Sequence, residues 1–550
     1  MEPEADTSIN RQTHPNIPTE QEIEAIANAR TGLLSYFKVA RCEFPKFFLL
    51  GGMFGIIGFI YSFMRILKDM FIMTRQDQNT IMFMKIFYVL PTSLCLVGLI
   101  QYMMGTKTVS RIFSIFIWGF SALFLFYGVV FLFEDKLTPS RFLFRDIFAD
   151  GKDGMRNLNF LKPFFLTINE PLATFIFITA EMWGSLLMAY LFMSFLNESC
   201  TINQFTRFIP PLYIITNLAL LGSAVVTELF LSLRKNFNYD QNQILCASVF
   251  FIQGLLALSL LGMKWYLEDV VLKTPVFIPS KVIKKTKGPK LGFKEGIKIM
   301  GQSKMLFSMC CIVLFFNMSF NMIESTYKAG VKAAAIHQEL EIGNYSANLN
   351  KFDQYMTSIS VIALNLSAFS TLVETKGWIV MGLITPIITF LAIIITIGAA
   401  IYNSAQEKLS FSVISSFFSS GKAYYTLENY SGIFFLSLLK IAKYAAFDIC
   451  KEKMGMRLDT NHRSRFKSVY DGIFGKLGKS FSSLYGLAML TLLDTDNIRR
   501  AAPITFVIIL FFIVAWFKCI SYLSGLFENS LKTNSNVDID LFEKSKAEEK

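Results

Sequence analysis

Apolar runs of about 20 residues recur along the whole chain, and they constrain its fold more than any other feature, because a helix of that length crosses the ~30 Å hydrocarbon layer of a bilayer. Bounded by charge, Gly or Pro, the runs fall at 47–73, 80–104, 109–133, 171–197, 206–231 and 243–267, then at 305–327, 353–373, 377–402, 430–449, 470–492 and 502–526. A backbone inside lipid must satisfy its own hydrogen bonds, so runs of this length predict helices. Of the 550 residues, 53% are hydrophobic and 17% charged, against about 25% charged in a typical soluble domain. The reading is an all-α membrane protein with about twelve transmembrane helices in two six-helix halves, major-facilitator-like in organisation.

The halves are separated by charge. A polar tail at 1–43 precedes an N-terminal six-helix half at 44–271; a basic linker at 272–304 leads to a C-terminal half at 305–527 and a tail at 528–550. Within the linker Lys273, Lys281, Lys284 and six further lysines face a single acid, Glu295. Basic excess marks cytoplasmic loops, and an even number of spans before the linker puts both termini in the cytoplasm. The segment after the tenth span agrees, with Lys451, Lys453, Arg457, Arg463, Arg465 and Lys467 against Glu452 and Asp459, whereas residues 134–170 are balanced and belong outside. In the N-terminal tail Thr19 and Glu22 resemble a capping box, opening a short helix toward Phe37 that lies on the membrane surface.

The same loops account for the formal charge of +12, so no nucleic-acid partner is implied. The acidic start, Met1-Glu-Pro-Glu-Ala-Asp, is unlike a signal or transit peptide, which favours the plasma membrane over an organelle membrane. None of the eight cysteines forms a Cys-x-x-Cys pair, and His14, His337 and His462 are far apart. Neither a disulfide framework nor a metal or cofactor site is expected, and the chain is read as a monomer in a lipid bilayer.

Function is sought where polarity interrupts the spans, since a charge at the centre of a membrane helix costs about 2.5–3.5 kcal/mol on insertion scales and is retained for a partner or a cavity. Arg65, Lys68 and Asp69 follow 18 largely apolar residues and share one helix face at i, i+3 and i+4. Glu181 lies near mid-span with no basic residue within four positions, so its partner must come from another helix. Glu324 and Lys479 are similarly placed in the second half, with Asn321 and Lys328 one turn from Glu324. Two acids and two lysines divided between the halves describe a polar cavity for an anionic or zwitterionic solute. Lys85, Glu228, Lys264, Lys440, Lys443, Asp448 and Lys518 lie nearer span ends or beside other polar residues and are read as packing or snorkelling residues. Gly478-Lys479-Ser480 lacks the Walker A glycine, having Ile473 in its place, and sits in an apolar span; nucleotide hydrolysis is not indicated.

Five stretches carry a family resemblance. Arg65-Ile-Leu-Lys-Asp69, Glu181-Met-Trp-Gly-Ser185 with Phe195-Leu-Asn197, Asn321-Met-Ile-Glu-Ser-Thr-Tyr-Lys328, Lys376-Gly-Trp378 with Ile384-Thr-Pro386, and Leu477-Gly-Lys-Ser480 occur in the order found in one family. Together they make the chain similar to the nucleotide transporter family, the ADP/ATP translocases of plastids and of obligate intracellular bacteria and parasites, and not to the mitochondrial carriers. Two positions depart from that pattern: Arg457-Leu-Asp459 stands for Pro-Leu-Asp, and Phe481-Ser482 for Gly-Gly. The second puts a bulky residue near the site.

The resemblance implies a transporter, not an enzyme, which imports ATP in exchange for ADP and, in some members, phosphate. It also implies that the family's four important charges fall on Lys68, Glu181, Glu324 and Lys479. ATP and ADP carry three to four negative charges, so cations must replace their hydration shell. Lys68 and Lys479, in opposite halves, are expected to meet the phosphates. Glu181 and Glu324 are expected to hold those lysines when the site is empty, or to accept a hydrogen bond from the adenine amine; Arg65, Asp69, Asn321 and Lys328 form a second tier. The alternative is a proton-coupled carrier of the same architecture, with Glu181 and Glu324 as proton sites.

Overall fold

A computed structural model describes residues 39–104, 106–134, 161–274, 277, 303–366, 377–418, 421–458, 466–533 and 537, together with 22, 23, 25 and 26. The capping box at Thr19, nearly all of the helix expected toward Phe37, most of the 134–170 and 272–304 segments, residues 459–465 and most of the C-terminal tail lie outside the described residues.

Long helices follow the predicted runs, most with ends displaced by a few residues, though α7 ends at His337 rather than 327 and α8 starts at Ile342 rather than 353. They are α1 (Phe44–Arg75), α2 (Gln78–Met84, Lys85–Val89 and Leu90–Met103), α3 (Val109–Leu132), α4 (Pro171–Met182, Trp183–Phe192 and Met193–Ser199), α5 (Ile202–Asn236) and α6 (Tyr239–Tyr266 with Leu267–Val271). After the linker come α7 (Lys304–His337), α8 (Ile342–Leu366), α9 (Trp378–Ala392, Ile393–Ile397 and Gly398–Gln406), α10 (Tyr425–Ala442, Lys443–Phe447 and Asp448–Met456), α11 (Ser468–Phe474 with Gly475–Leu492) and α12 (Ala502–Thr533). Among the described residues nine helices are long and apolar enough to cross a membrane: α1–α7, α9 and α12. Their outward faces carry large apolar side chains such as Trp118, Phe126, Phe175 and Leu229, each more than half exposed, as suits lipid contact. The chain is a multi-pass membrane protein.

Packing divides along the sequence. The largest apolar cluster draws its buried residues from Val39 to Val271, with Ala347 as its later member, while two others draw theirs from Met305 to Val537, with Met73 joining from α1. Between helices on either side of the linker, α8 packs on α1 and α5, and α11 packs on α2. Small residues permit the closest approaches: a Cβ at Gly58 would come within 2.6 Å of Thr216 Cγ2, so α1 and α5 need hydrogen there. The segments 85–89 and 183–192 are π-helical, each beginning at or just past a charge inside a span, Lys85 and Glu181. Such widened turns recur at functional positions because they re-aim side chains out of the regular helical register.

Candidate functional site

α1 is the spine of the site. Its run of apolar residues carries Arg65, Lys68 and Asp69 into the protein on one face, with Lys68 and Asp69 buried. Lys68 Nζ forms an ion pair with Glu181 of α4, lies 3.8 Å from Asp69 Oδ1, and sits 4.3 Å over the ring of Phe177. Asp69 Oδ2 accepts from Lys328 Nζ of α7 at 2.9 Å, and that nitrogen is 3.3 Å from Glu324 Oε1 one turn earlier. Glu324 Oε2 in turn accepts from Lys85 Nζ of α2 at 3.3 Å, which also donates to Asn321 Oδ1 at 3.0 Å.

Six of the eight residues singled out from sequence, together with Lys85, thus form one continuous ladder in which acid and cation alternate: Glu181, Lys68, Asp69, Lys328, Glu324, Lys85 and then Asn321. Alternation is the arrangement that makes buried charge tolerable, since each ion stripped of water keeps an opposite charge in contact. Glu324 and Lys85 remain about a quarter and a fifth exposed, so the ladder can be reached from a cavity. Ser482 and Ser483 of α11 line that cavity beside Lys85, Asn321, Glu324 and Lys328.

Arg65 and Lys479 stand outside the ladder. Arg65, one turn before Lys68, bonds to Asp353 of α8 at 2.5 Å, and Lys440 of α10 reaches the same carboxylate at 2.5 Å. Lys479 is exposed and makes no ion pair among the described residues, although it is near enough to Glu181 for their charges to interact. Of the two acids, Glu181 pairs with Lys68, whereas Glu324 pairs with Lys85 and Lys328 and not with Lys479 among the described residues.

A further set of bridges lies toward the end at which α1 finishes. Lys332 meets Asp77 at 3.0 Å, Lys162 meets Asp496 at 2.9 Å, Arg234 meets Glu341 at 2.6 Å, and Asn79 Nδ2 donates to the Asp496 carbonyl at 2.6 Å. Each joins a residue before the linker to one after it.

Compared with known proteins, residues 24–527 match the family described as the TLC ATP/ADP transporter. The chain belongs to that family. It is 58% identical over 532 residues, 96% of its length, to "ADP,ATP carrier protein 1" of Encephalitozoon cuniculi, covering 95% of that relative. It is 25% identical to "ADP,ATP carrier protein 1, chloroplastic" of Arabidopsis thaliana, across 92% of this chain and 77% of the relative. The "ADP,ATP carrier protein 1" of Rickettsia typhi is 23% identical, across 90% and 95%.

The motifs that suggested the family have mechanical reasons in this TLC-type transporter. Trp183 is buried and its Nε1 donates to the Ile57 carbonyl at 3.0 Å, pinning α4 to α1, while Gly184 leaves room for the Tyr61 ring, whose Cε2 a Cβ would approach to 2.3 Å. Those contacts fix Glu181 opposite Lys68. Gly377 has φ of +87°, a left-handed value that glycine adopts freely, and it starts α9 at Trp378, whose Nε1 donates to the Cys450 carbonyl at 3.0 Å. Phe481, the bulky residue near the site, is 44% exposed, and the next two residues, both small serines, face the cavity.

Sequence reasoning missed Lys85, Asp353 and Lys440. Lys85 and Lys440 were set aside as near span ends or beside other polar residues, and Asp353 fell on the boundary of its run. The helices extend further than the apolar runs, with α8 starting at Ile342, which places Asp353 well inside it.

Proposed function

We propose that this chain exchanges ATP for ADP across the plasma membrane, working as a monomer by alternating access between the halves 44–271 and 305–527. The observation that carries the reading is the ladder itself, in which α1, α2 and α4 supply Lys68, Asp69, Lys85 and Glu181 and α7 supplies Asn321, Glu324 and Lys328. Its lysines hold carboxylates that a polyphosphate can replace, and a ligand that exchanges partners at such an interface biases one conformation over another. The substrate assignment is supported by relatives named ADP,ATP carriers. Phosphate is a further substrate in this reading.

All twelve helices α1–α12 cross the membrane in this reading. α8, α10 and α11 are more polar over a membrane-spanning length than the other nine, and Asp353, Lys440 and Lys479 are among the polar side chains they bring to the site. With the basic linker and both termini in the cytoplasm, the bridges at Asp77, Glu341 and Asp496 seal the outer end. The first helix contributes Lys68 and the eleventh Lys479, so phosphate held by both would draw the halves together. Labelled ATP presented to proteoliposomes is expected to accumulate only when ADP is inside. Equal uptake without internal ADP would sink strict exchange, and uptake driven by a pH gradient alone would replace it with the proton-coupled alternative.

A further inference from the structure

Two cations from different helices share one oxygen of one carboxylate: Arg65 Nη2 on α1 and Lys440 Nζ on α10 each lie 2.5 Å from Asp353 Oδ2. The carboxylate has nothing left to offer. Its residue is fully buried, and Oδ1 accepts from Ser437 Oγ at 2.7 Å. The cations are different. Their side chains remain 26% and 20% exposed, and a guanidinium has five N–H donors and an ammonium three, so most of their donors are free for a second acceptor. One acid against two cations also leaves a local charge of +1 inside the protein, where an uncompensated charge is costly and an incoming anion is favoured. Arg65 lies one turn from Lys68 on the same face of α1, and Lys440 is close enough to Glu324 for their charges to interact, so this group is contiguous with the ladder.

We propose that Arg65 and Lys440 form a second anion subsite, which takes a phosphoryl group, and that Asp353 is the positioning residue that holds the two cations together for it. This rests on the nucleotide-exchange reading and adds where a second part of the anion is held. The ladder lysines each have a carboxylate partner to exchange for phosphate; Arg65 and Lys440 need not give theirs up. Asp353 therefore both presents the two cations and competes with phosphate for them, which keeps binding weak enough for release. The same chemistry serves the terminal phosphate of a nucleotide or free orthophosphate.

The test compares wild type with Asp353→Asn, Lys440→Met and the charge-balanced double variant Asp353→Asn/Lys440→Met, using the full chain in ADP-loaded proteoliposomes. Asp353→Asn frees both cations, so the apparent KM for ATP is expected to fall severalfold while kcat falls at least tenfold; the double variant recovers kcat, and Lys440→Met alone raises KM. Orthophosphate added as a competitor separates the sources. Stronger inhibition of Asp353→Asn than of wild type assigns the subsite to free phosphate, and unchanged inhibition with a lowered ATP KM assigns it to the nucleotide's terminal phosphate. Thermal-shift titration of the purified protein with ATP reads the subsite without transport. If wild type shows no exchange but Asp353→Asn binds ATP severalfold more tightly, the exchange reading falls and the subsite stands. The subsite is overturned if Asp353→Asn leaves KM and ATP binding unchanged, whether kcat is normal or only the amount of folded protein drops.

Discussion

Lys68 and Lys479 were equivalent in sequence, each a lysine inside an apolar run, but they differ in what each touches. Lys68 neutralises Glu181 and approaches Asp69, whereas Lys479 has no acidic partner in contact among the described residues. Removing one member of a buried ion pair leaves the other uncompensated, at a cost of up to about 3–5 kcal/mol, while removing an unpaired, exposed cation leaves nothing stranded. Lys479→Ala is therefore expected to lower ATP uptake at least tenfold with the unfolding temperature in detergent unchanged. Lys68→Ala should lose both uptake and thermal stability, and adding Glu181→Gln to it should restore stability but not uptake. A Lys479→Ala protein that melts several degrees lower would show that this lysine has a structural partner and would remove the distinction.

At the scale of helices, what positions those residues is close packing across α7 and α11. A Cβ added at Gly478 would lie 2.8 Å from Asn317 Cβ and 3.1 Å from the Leu314 carbonyl, atoms that move only if the helices separate. Overpacking of this kind costs about 1–3 kcal/mol. Gly478→Ala is expected to reduce uptake by displacing Lys479 and the cavity serines from α7, with a lower melting temperature. Gly475, in the same helix with nothing within 4 Å, is the control, and its change to Ala should be neutral or gain up to about 1 kcal/mol from helix propensity. If the two variants behave alike, the α7–α11 contact does not position the site. The helices themselves were legible in the sequence because the cost of burying polar backbone in lipid leaves length and apolarity as sufficient signals. Lys68, Glu181 and Glu324 were legible for the same reason, being charges flanked by apolar residues. Lys85, Asp353 and Lys440 were not, since Lys85 and Asp353 lie near the start of their apolar runs and Lys440 shares its run with Lys443, and only the packing of α2, α8 and α10 brings them to the centre. Which lysine each acid holds depends on distances between helices far apart in sequence, and no local pattern encodes that.

On the scale of the whole molecule, the bridges at the end of α1 set how readily that end opens. Asp77, Glu341 and Asp496 each hold a lysine or arginine from across the linker, and one member of every pair is 30% to 51% exposed, so solvent weakens them. Pairs of that kind contribute about 0.2–1 kcal/mol each. No single one decides the conformation, but three together sum to about 0.6–3 kcal/mol, a shift of roughly 3- to 150-fold in the ratio of closed to open. Ser483 lies in the cavity behind them and reports on its exposure. In a background with the native cysteines replaced, Ser483→Cys should react slowly with an impermeant maleimide applied from the side of Asp77. Adding Asp77→Asn, Glu341→Gln and Asp496→Asn should speed that reaction at least threefold, and each change alone should have less effect. ADP present on the opposite side should oppose the acceleration, because a substrate bound from there draws the carrier toward the state in which this end is shut. An unchanged rate in the triple variant would mean that apolar packing, not charge, closes this end.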